Sequence, residues 1–169
     1  LMDDLRKQIK ALNPDAKTAA DDSTDVTNEL DWKRVAQLIE DERGSLDILV
    51  NNAGVDCVGP VQKTSLKNWR RVMSINVDGA FLGVKHCYDI LAKASEKRNG
   101  GASIVNISSM LSKVGYIDTS GYNASKGAIS SFTKAIAVSV SEIFWAYGLP
   151  INPFLASRKI SKLSLADCL

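Results

Sequence analysis

Apolar positions along the chain follow two spacings. Met2, Leu5, Ile9 and Leu12 recur at helical intervals, with Asp3, Arg6, Lys7 and Lys10 on the other side. This predicts a helix over 2–12, stopped by Asn13-Pro14. Lys17 to Ala20 reads as a short strand, weakly, because alanine is a poor strand former. Asp21, Asp22 and Asp25 follow in a polar loop. Thr27 or Asn28 then caps a helix whose stripe is Trp32, Val35, Leu38 and Ile39 and which ends near Gly44. Leu46–Val50 is a mostly apolar run of strand length, as in a parallel sheet covered on both faces. A long helix is predicted over 66–93, capped by Thr64 or Ser65, with Trp69, Val72, Met73, Val77, Ala80, Val84, Cys87 and Leu91 on its stripe. Asn76 interrupts that stripe. A buried amide must be satisfied, so it either bonds backbone at a kink or holds a water in a site.

Ile104–Ile107 is a second buried strand, and a helix over 121–142 follows. Ile129, Phe132, Ile136 and Val140 make one bulky face of that helix. Ala124, Ala128, Ser131 and Ala135 make a small one, suited to close packing within the domain or against a second subunit. Strands alternating with helices at this spacing specify an α/β fold, a parallel sheet with helices on both faces. Past Glu142 the pattern fades. Phe144-Trp145-Ala146-Tyr147 leads to Gly148, Pro150 and Pro153, and residues 156–169 show only weak periodicity.

Composition narrows the function class. A chain of 169 residues is long enough for one domain with a real core. The net charge of +2, with both signs mixed, gives no reason to expect nucleic acid or an anionic membrane as partner. No apolar run reaches membrane-spanning length and no signal-peptide pattern opens the chain. Cys57, Cys87 and Cys168 lack metal-ligand spacing, so no metal site is expected. They read as free thiols in a reducing compartment, which places the protein in the cytoplasm. His86, the lone histidine, lies in a helical pattern and carries no special expectation. The chain opens Leu1-Met2, which reads as a piece of something longer. All 11 glycines fall at or after Gly44, so the first 43 residues hold no glycine-rich phosphate-binding turn.

Candidate chemistry gathers between Ser103 and Lys134. Tyr122 and Lys126 are one turn apart on a helix face, a rise of about 6 Å, so phenol and ammonium can lie side by side. A free tyrosine titrates near ~10. A cation about 4 Å away at an effective dielectric of about 20 favours the phenolate by ~4 kcal/mol, roughly three pKa units, which suits general acid–base work. The spacing alone is unspecific, and a surface tyrosine stacked on a lysine stem is its ordinary meaning. The buried strand, the serines Ser108 and Ser109 and the glycine-bearing loop before it raise its weight. Ser109 ends the strand on the side where open α/β sheets bind ligands. Asn51-Asn52-Ala53-Gly54, at the end of the preceding strand, is either an ordinary turn or a pair of amides bonding across strands beside a backbone that a flat ligand can approach.

Taken together, Asp25-Val26, Asn51-Asn52-Ala53-Gly54, Asn76 in Asn-Val-Asp-Gly, Ser109 and Tyr122-Asn123-Ala124-Ser125-Lys126 resemble the compact short-chain dehydrogenase/reductases. The resemblance spans about residues 1–141, with five motifs in order. It implies a Rossmann-like, doubly wound sheet and an oxidoreductase that transfers a hydride between NAD or NADP and a ketone or secondary alcohol. It further implies Tyr122 as general acid or base and Lys126 as the group that lowers its pKa and bonds the nicotinamide ribose. Ser109 orients the substrate oxygen and Asn76 holds a water of the proton relay. Asp25 and Val26 meet the adenine, and Asn51, Ala53 and Gly54 line the cofactor cleft. A homo-oligomer built through helices 66–93 and 121–142 is expected of the complete protein.

Against that pattern, the family's first strand, glycine-rich turn and second strand have no counterpart, nor does its closing strand. The resemblance therefore describes a partial dinucleotide-binding domain over 1–155 and an atypical tail over 156–169. The strand at Leu46–Val50 is left with one open ladder, and tight cofactor binding is not expected of this chain by itself. Tyr147 to Asn152 resembles the entry to the family's sixth strand. Two other readings are an inactive fragment that serves only as a dimerisation or interaction module, and a sugar-nucleotide epimerase. The second also uses a Tyr/Lys pair, but Asn51–Gly54 argues for the dehydrogenases.

Overall fold

The structure, a computed structural model, describes residues 7–8, 11–12, 24–97, 101–139 and 144–149. Its elements run α1 (Glu29–Arg43), β1 (Ile48–Asn51), α2 (Leu66–Met73), α3 (Gly79–Lys97), β2 (Ala102–Ile107), α4 (Ser120–Ser139) and β3 (Phe144–Leu149). Lys7, Gln8, Ala11 and Leu12 are helical, within the predicted first helix, while the strand expected at Lys17–Ala20 lies outside the described residues, as do Asp21, Asp22 and the 156–169 tail.

The three strands form one parallel sheet in the order β1-β2-β3, with β2 central. Leu49 lies opposite Ile104, Asn51 opposite Asn106, and Phe144 opposite Ala102. β3 begins at Phe144, three residues before the segment whose resemblance marked a strand entry. The aromatic run Phe144-Trp145-Ala146-Tyr147 suits a pleated surface, and the stretch of the expected helix from 140 to 142 lies outside the described residues.

α1 starts where Asn28 accepts the N–H of Leu30 and stops at Gly44, whose φ of 72° suits a residue without a side chain and whose N–H bonds the Glu40 carbonyl. It packs on α3, and polar contacts tie them at both ends: Lys93 pairs with Glu40, and Glu29 pairs with Lys85 at 2.7 Å and lies within hydrogen-bond distance, 3.0 Å, of His86 Nε2. No α1 residue is fully buried, and Leu38 of its expected stripe is 40% exposed. Trp32, Ala36 and Ile39 alone of that helix reach the core. The core itself is Leu49, Val84, Cys87, Ile90, Leu91, Ala94, Ala102 and Ile104. Helices α1, α3 and α4 all lie on the sheet face that carries Leu49 and Ile104. Ile48 and Val50 point the other way and are about half exposed, so β1 is covered on one face among the described residues rather than on both.

The predicted helix over 66–93 is three segments. Ser65 caps α2 by accepting the N–H of Asn68, and a π turn over Ser74–Asp78 joins α2 to α3. A π turn inserts extra backbone into a helix and often sits at functional positions. Asn76 lies inside it, 3% exposed. α3 crosses β1 closely at Gly83, where a methyl group would stand 2.6 Å from Asn51 Oδ1 and 3.0 Å from the Trp32 ring.

Candidate active site

The site is built at the carboxyl edge of the sheet. β2 ends at Ile107, and the two serines that follow divide their work. Ser108 is buried and donates to the Lys126 carbonyl at 3.0 Å or pairs with Ser130 Oγ at 2.8 Å, fastening the strand end to α4. Ser109 opens a short 3-10 turn, Met110–Ser112, and accepts the N–H of Leu111 at 3.2 Å. Asn123 holds the loop between that turn and α4. It donates to the carbonyls of Leu111 and Val114, both at 2.7 Å, and accepts from Thr119 Oγ1 at 2.6 Å.

Along α4, Lys126 folds back under the strand end. Its ammonium donates to the Ile107 carbonyl at 2.7 Å and stands 5.6 Å from the centre of the Tyr122 ring, within cation–π range. The residue is 4% exposed, and burial pulls the ammonium's pKa below the ordinary lysine value. The ammonium spends one of its three donors on Ile107, and Gly54 lies beside it. A methyl group on Gly54 would lie 3.5 Å from Lys126 Nζ and 3.5 Å from Asn76 Oδ1, so the bare backbone there borders both groups.

Asn76 reaches across from the π turn. Its Oδ1 accepts the N–H of Val55 at 2.8 Å, and its Nδ2 donates to the Val55 carbonyl and to Ser125 Oγ, each at 2.9 Å. Both amide protons are therefore spent on protein, so any water held near this residue is not held by its side-chain N–H groups. Of the two alternatives in the sequence, the amide bonds backbone, but that of a neighbouring segment rather than of its own kink.

The sequence-predicted residues thus divide. Gly54, Asn76, Tyr122 and Lys126 come together, and Ser109 sits on the adjoining turn. Asn51 spends its Nδ2 on Asn106 Oδ1 at 2.8 Å, with a longer contact of 3.4 Å to the Ala80 carbonyl. It still helps line a small cleft of about 60 Å³ with Val26, Trp32, Val50, Ala53, Ile75 and others. Asp25 is exposed beside this cleft, its carboxylate held below its usual pKa by the backbone N–H and then the hydroxyl of Thr27. Sequence reasoning missed Ser125, Asn106, Asn123 and Thr133 as members of the polar framework. Only the unexpected Asn76 in an apolar stripe signalled that such a framework existed.

A model of the family described as short chain dehydrogenase matches residues 2–143. The chain belongs to the short-chain dehydrogenase family. A cyclopentanol dehydrogenase of Comamonas sp. (strain NCIMB 9872) is 43% identical over 117 residues, covering 69% of this chain and 45% of that protein. A 3-beta-hydroxysteroid dehydrogenase of Comamonas testosteroni is 36% identical over 128 residues, covering 76% and 47%. Among solved structures, the aldohexose dehydrogenase of Thermoplasma acidophilum superposes with a TM-score of 0.71 at 29% identity, covering 80% of this chain and 51% of that one. This short-chain dehydrogenase chain thus spans about half the length of the curated relatives it matches. Its Rossmann-like architecture agrees with these neighbours, and no helix among the described residues is long and apolar enough to cross a membrane.

Proposed function

We propose that the complete protein is an oxidoreductase acting on a secondary alcohol or its ketone with NAD or NADP, and that Tyr122 carries the proton. The observation behind this is a nearly buried ammonium, Lys126, held at 2.7 Å on the Ile107 carbonyl and 5.6 Å from the Tyr122 ring. In this reading the Tyr122 phenolate takes the alcohol proton and becomes the phenol as a carbonyl forms and the hydride leaves to the nicotinamide; in reduction the phenol gives that proton to the substrate oxygen and becomes the phenolate. Lys126 stabilises the resulting phenolate and meets a ribose hydroxyl with its remaining donors. Ser109 donates its hydroxyl proton to the substrate oxygen. Asn76, locked by Val55 and Ser125, fixes the floor beneath them.

A bound nicotinamide supplies or accepts the hydride. The residues fit such a group. Gly54 leaves its backbone bare beside Lys126 and Asn76, where a flat ring needs room. The cleft near Val26 and Ala53 presents apolar walls to an adenine, with the Asp25 carboxylate beside it as acceptor. Met110, Tyr116 and Ile117, all about 70% exposed or more around the turn after Ser109, favour an apolar carbon skeleton. This matches the cyclopentanol and hydroxysteroid named for the relatives. Ala124, Ser131 and Ala135 on α4 are exposed, as is Phe81 on α3, a surface suited to pairing two copies.

The test is absorbance at the reduced-nicotinamide band, on the full chain, against a panel of alicyclic alcohols, sugars and ketones. Tyr122→Phe should abolish turnover and leave cofactor affinity nearly intact. A variant that keeps most of its rate would remove Tyr122 from the proton-carrying role.

A further inference from the structure

Ser125 lies between the two halves of the site without touching the cleft. It is 0% exposed. Its hydroxyl donates to the Tyr122 carbonyl at 2.8 Å, within its own helix, and accepts from Asn76 Nδ2 at 2.9 Å across 49 positions of sequence. Asn76 in turn grips both backbone groups of Val55, the residue after Gly54. One hydroxyl therefore connects the helix of Tyr122 and Lys126, the π turn and the Gly54 backbone. We propose that Ser125 is a positioning residue: it fixes the Asn76 amide, and through it sets Gly54 against the Lys126 ammonium. Other contacts do not replace it. The second proton of Asn76 Nδ2 has no other partner, and the serine hydroxyl has only one proton to give, already committed to Tyr122.

The inference rests on the proposed oxidoreductase site, so its test has two arms. Ser125→Ala removes the acceptor and frees one edge of the Asn76 amide to rotate. A displacement of an ångström among reacting groups costs on the order of a hundredfold in rate. The expected result is a kcat lowered about ten- to a hundredfold, with KM for alcohol and cofactor changed less than about threefold. Ser125→Thr, which keeps the hydroxyl, should regain most of the loss. If Ser125→Ala does not fold, Ser125→Cys, close in volume but a weak acceptor, decides by the same split. The second arm is independent of turnover. In nuclear magnetic resonance of the ¹⁵N-labelled protein, the Asn76 side-chain amide protons should be protected from solvent exchange, and Ser125→Ala should expose one of them. A kcat within twofold of wild type, or unchanged exchange at Asn76, overturns the proposal. If no nicotinamide-dependent turnover is found while the exchange result holds, the oxidoreductase reading fails and the tether stands.

Discussion

Asn106 offers the sharpest test of how the sheet holds its site. It is 0% exposed at the centre of the molecule. Its Oδ1 accepts from Asn51 Nδ2 at 2.8 Å, and its Nδ2 donates to Thr133 Oγ1 at 3.0 Å, joining β1, β2 and α4. Thr133 also donates to the Ile129 carbonyl at 2.7 Å, so its own proton is satisfied without Asn106. Asn51 is worse placed, because its remaining contact to Ala80 is 3.4 Å long. Asn106→Ala therefore loses two hydrogen bonds, each worth about 1 kcal/mol net, and leaves a half-satisfied amide and a small void worth roughly another 1 kcal/mol. The expected loss is about 3 kcal/mol. With a urea slope of roughly 2 kcal/mol/M, the midpoint falls by about 1.5 M, read by tryptophan fluorescence. In a double-mutant cycle, Asn51→Ala should cost about 1 kcal/mol less in the Asn106→Ala background than alone. A loss under 1 kcal/mol, or strictly additive effects, would refute the claim that this polar chain carries stability.

Two further outcomes follow from the geometry. Gly54→Ala places its methyl at ordinary contact distance from Asn76 and Lys126, so it should fold normally. Gly54→Val extends into the same space and should weaken nicotinamide cofactor binding at least tenfold by calorimetry without lowering the melting temperature by more than a few degrees; equal affinity in both variants would place the cofactor elsewhere. Burial pushes the Cys87 thiol up from 9.0 to about 11. Between those values the unfolded chain has released a proton that the folded one retains, so stability falls as pH rises from 9 to 11, by up to about 2–3 kcal/mol. Cys87→Ala should flatten that slope in urea titrations at pH 8 and 11, and an unchanged slope would assign the loss to other groups.

Local chemistry made much of the fold legible. The caps at Asn28, Gly44 and Ser65 and the strand–helix alternation are short-range facts, written in adjacent residues. The Tyr122/Lys126 spacing survives because a helix fixes it. What the sequence concealed depends on partners far apart. Ser125 and Asn76 are 49 positions apart, and Asn51 and Asn106 are 55, so each looks like an ordinary polar residue until the sheet closes. The π turn was invisible to periodicity, since its single extra residue leaves the stripe through Val72, Ala80 and Val84 apolar on both sides. The apolar run at Leu46–Val50 predicts cover for Ile48 and Val50, which are half exposed, because such a run states a preference for cover and not which element provides it.

The paired amides of Asn51 and Asn106 also decide which alignment the strands adopt. Ile48-Leu49-Val50 against Ser103-Ile104-Val105 offers little discrimination, since sliding one strand by two positions keeps every side chain on its own face. Such a slide would set Asn51 beside Ile104 or Ser108 and strand a buried amide within hydrocarbon. The amide pair therefore works as a key in a slot, rejecting near-equivalent pairings that greasy side chains would accept. By admitting a single alignment, it delivers Gly54 and Ser109 to the same edge of the molecule each time the chain folds.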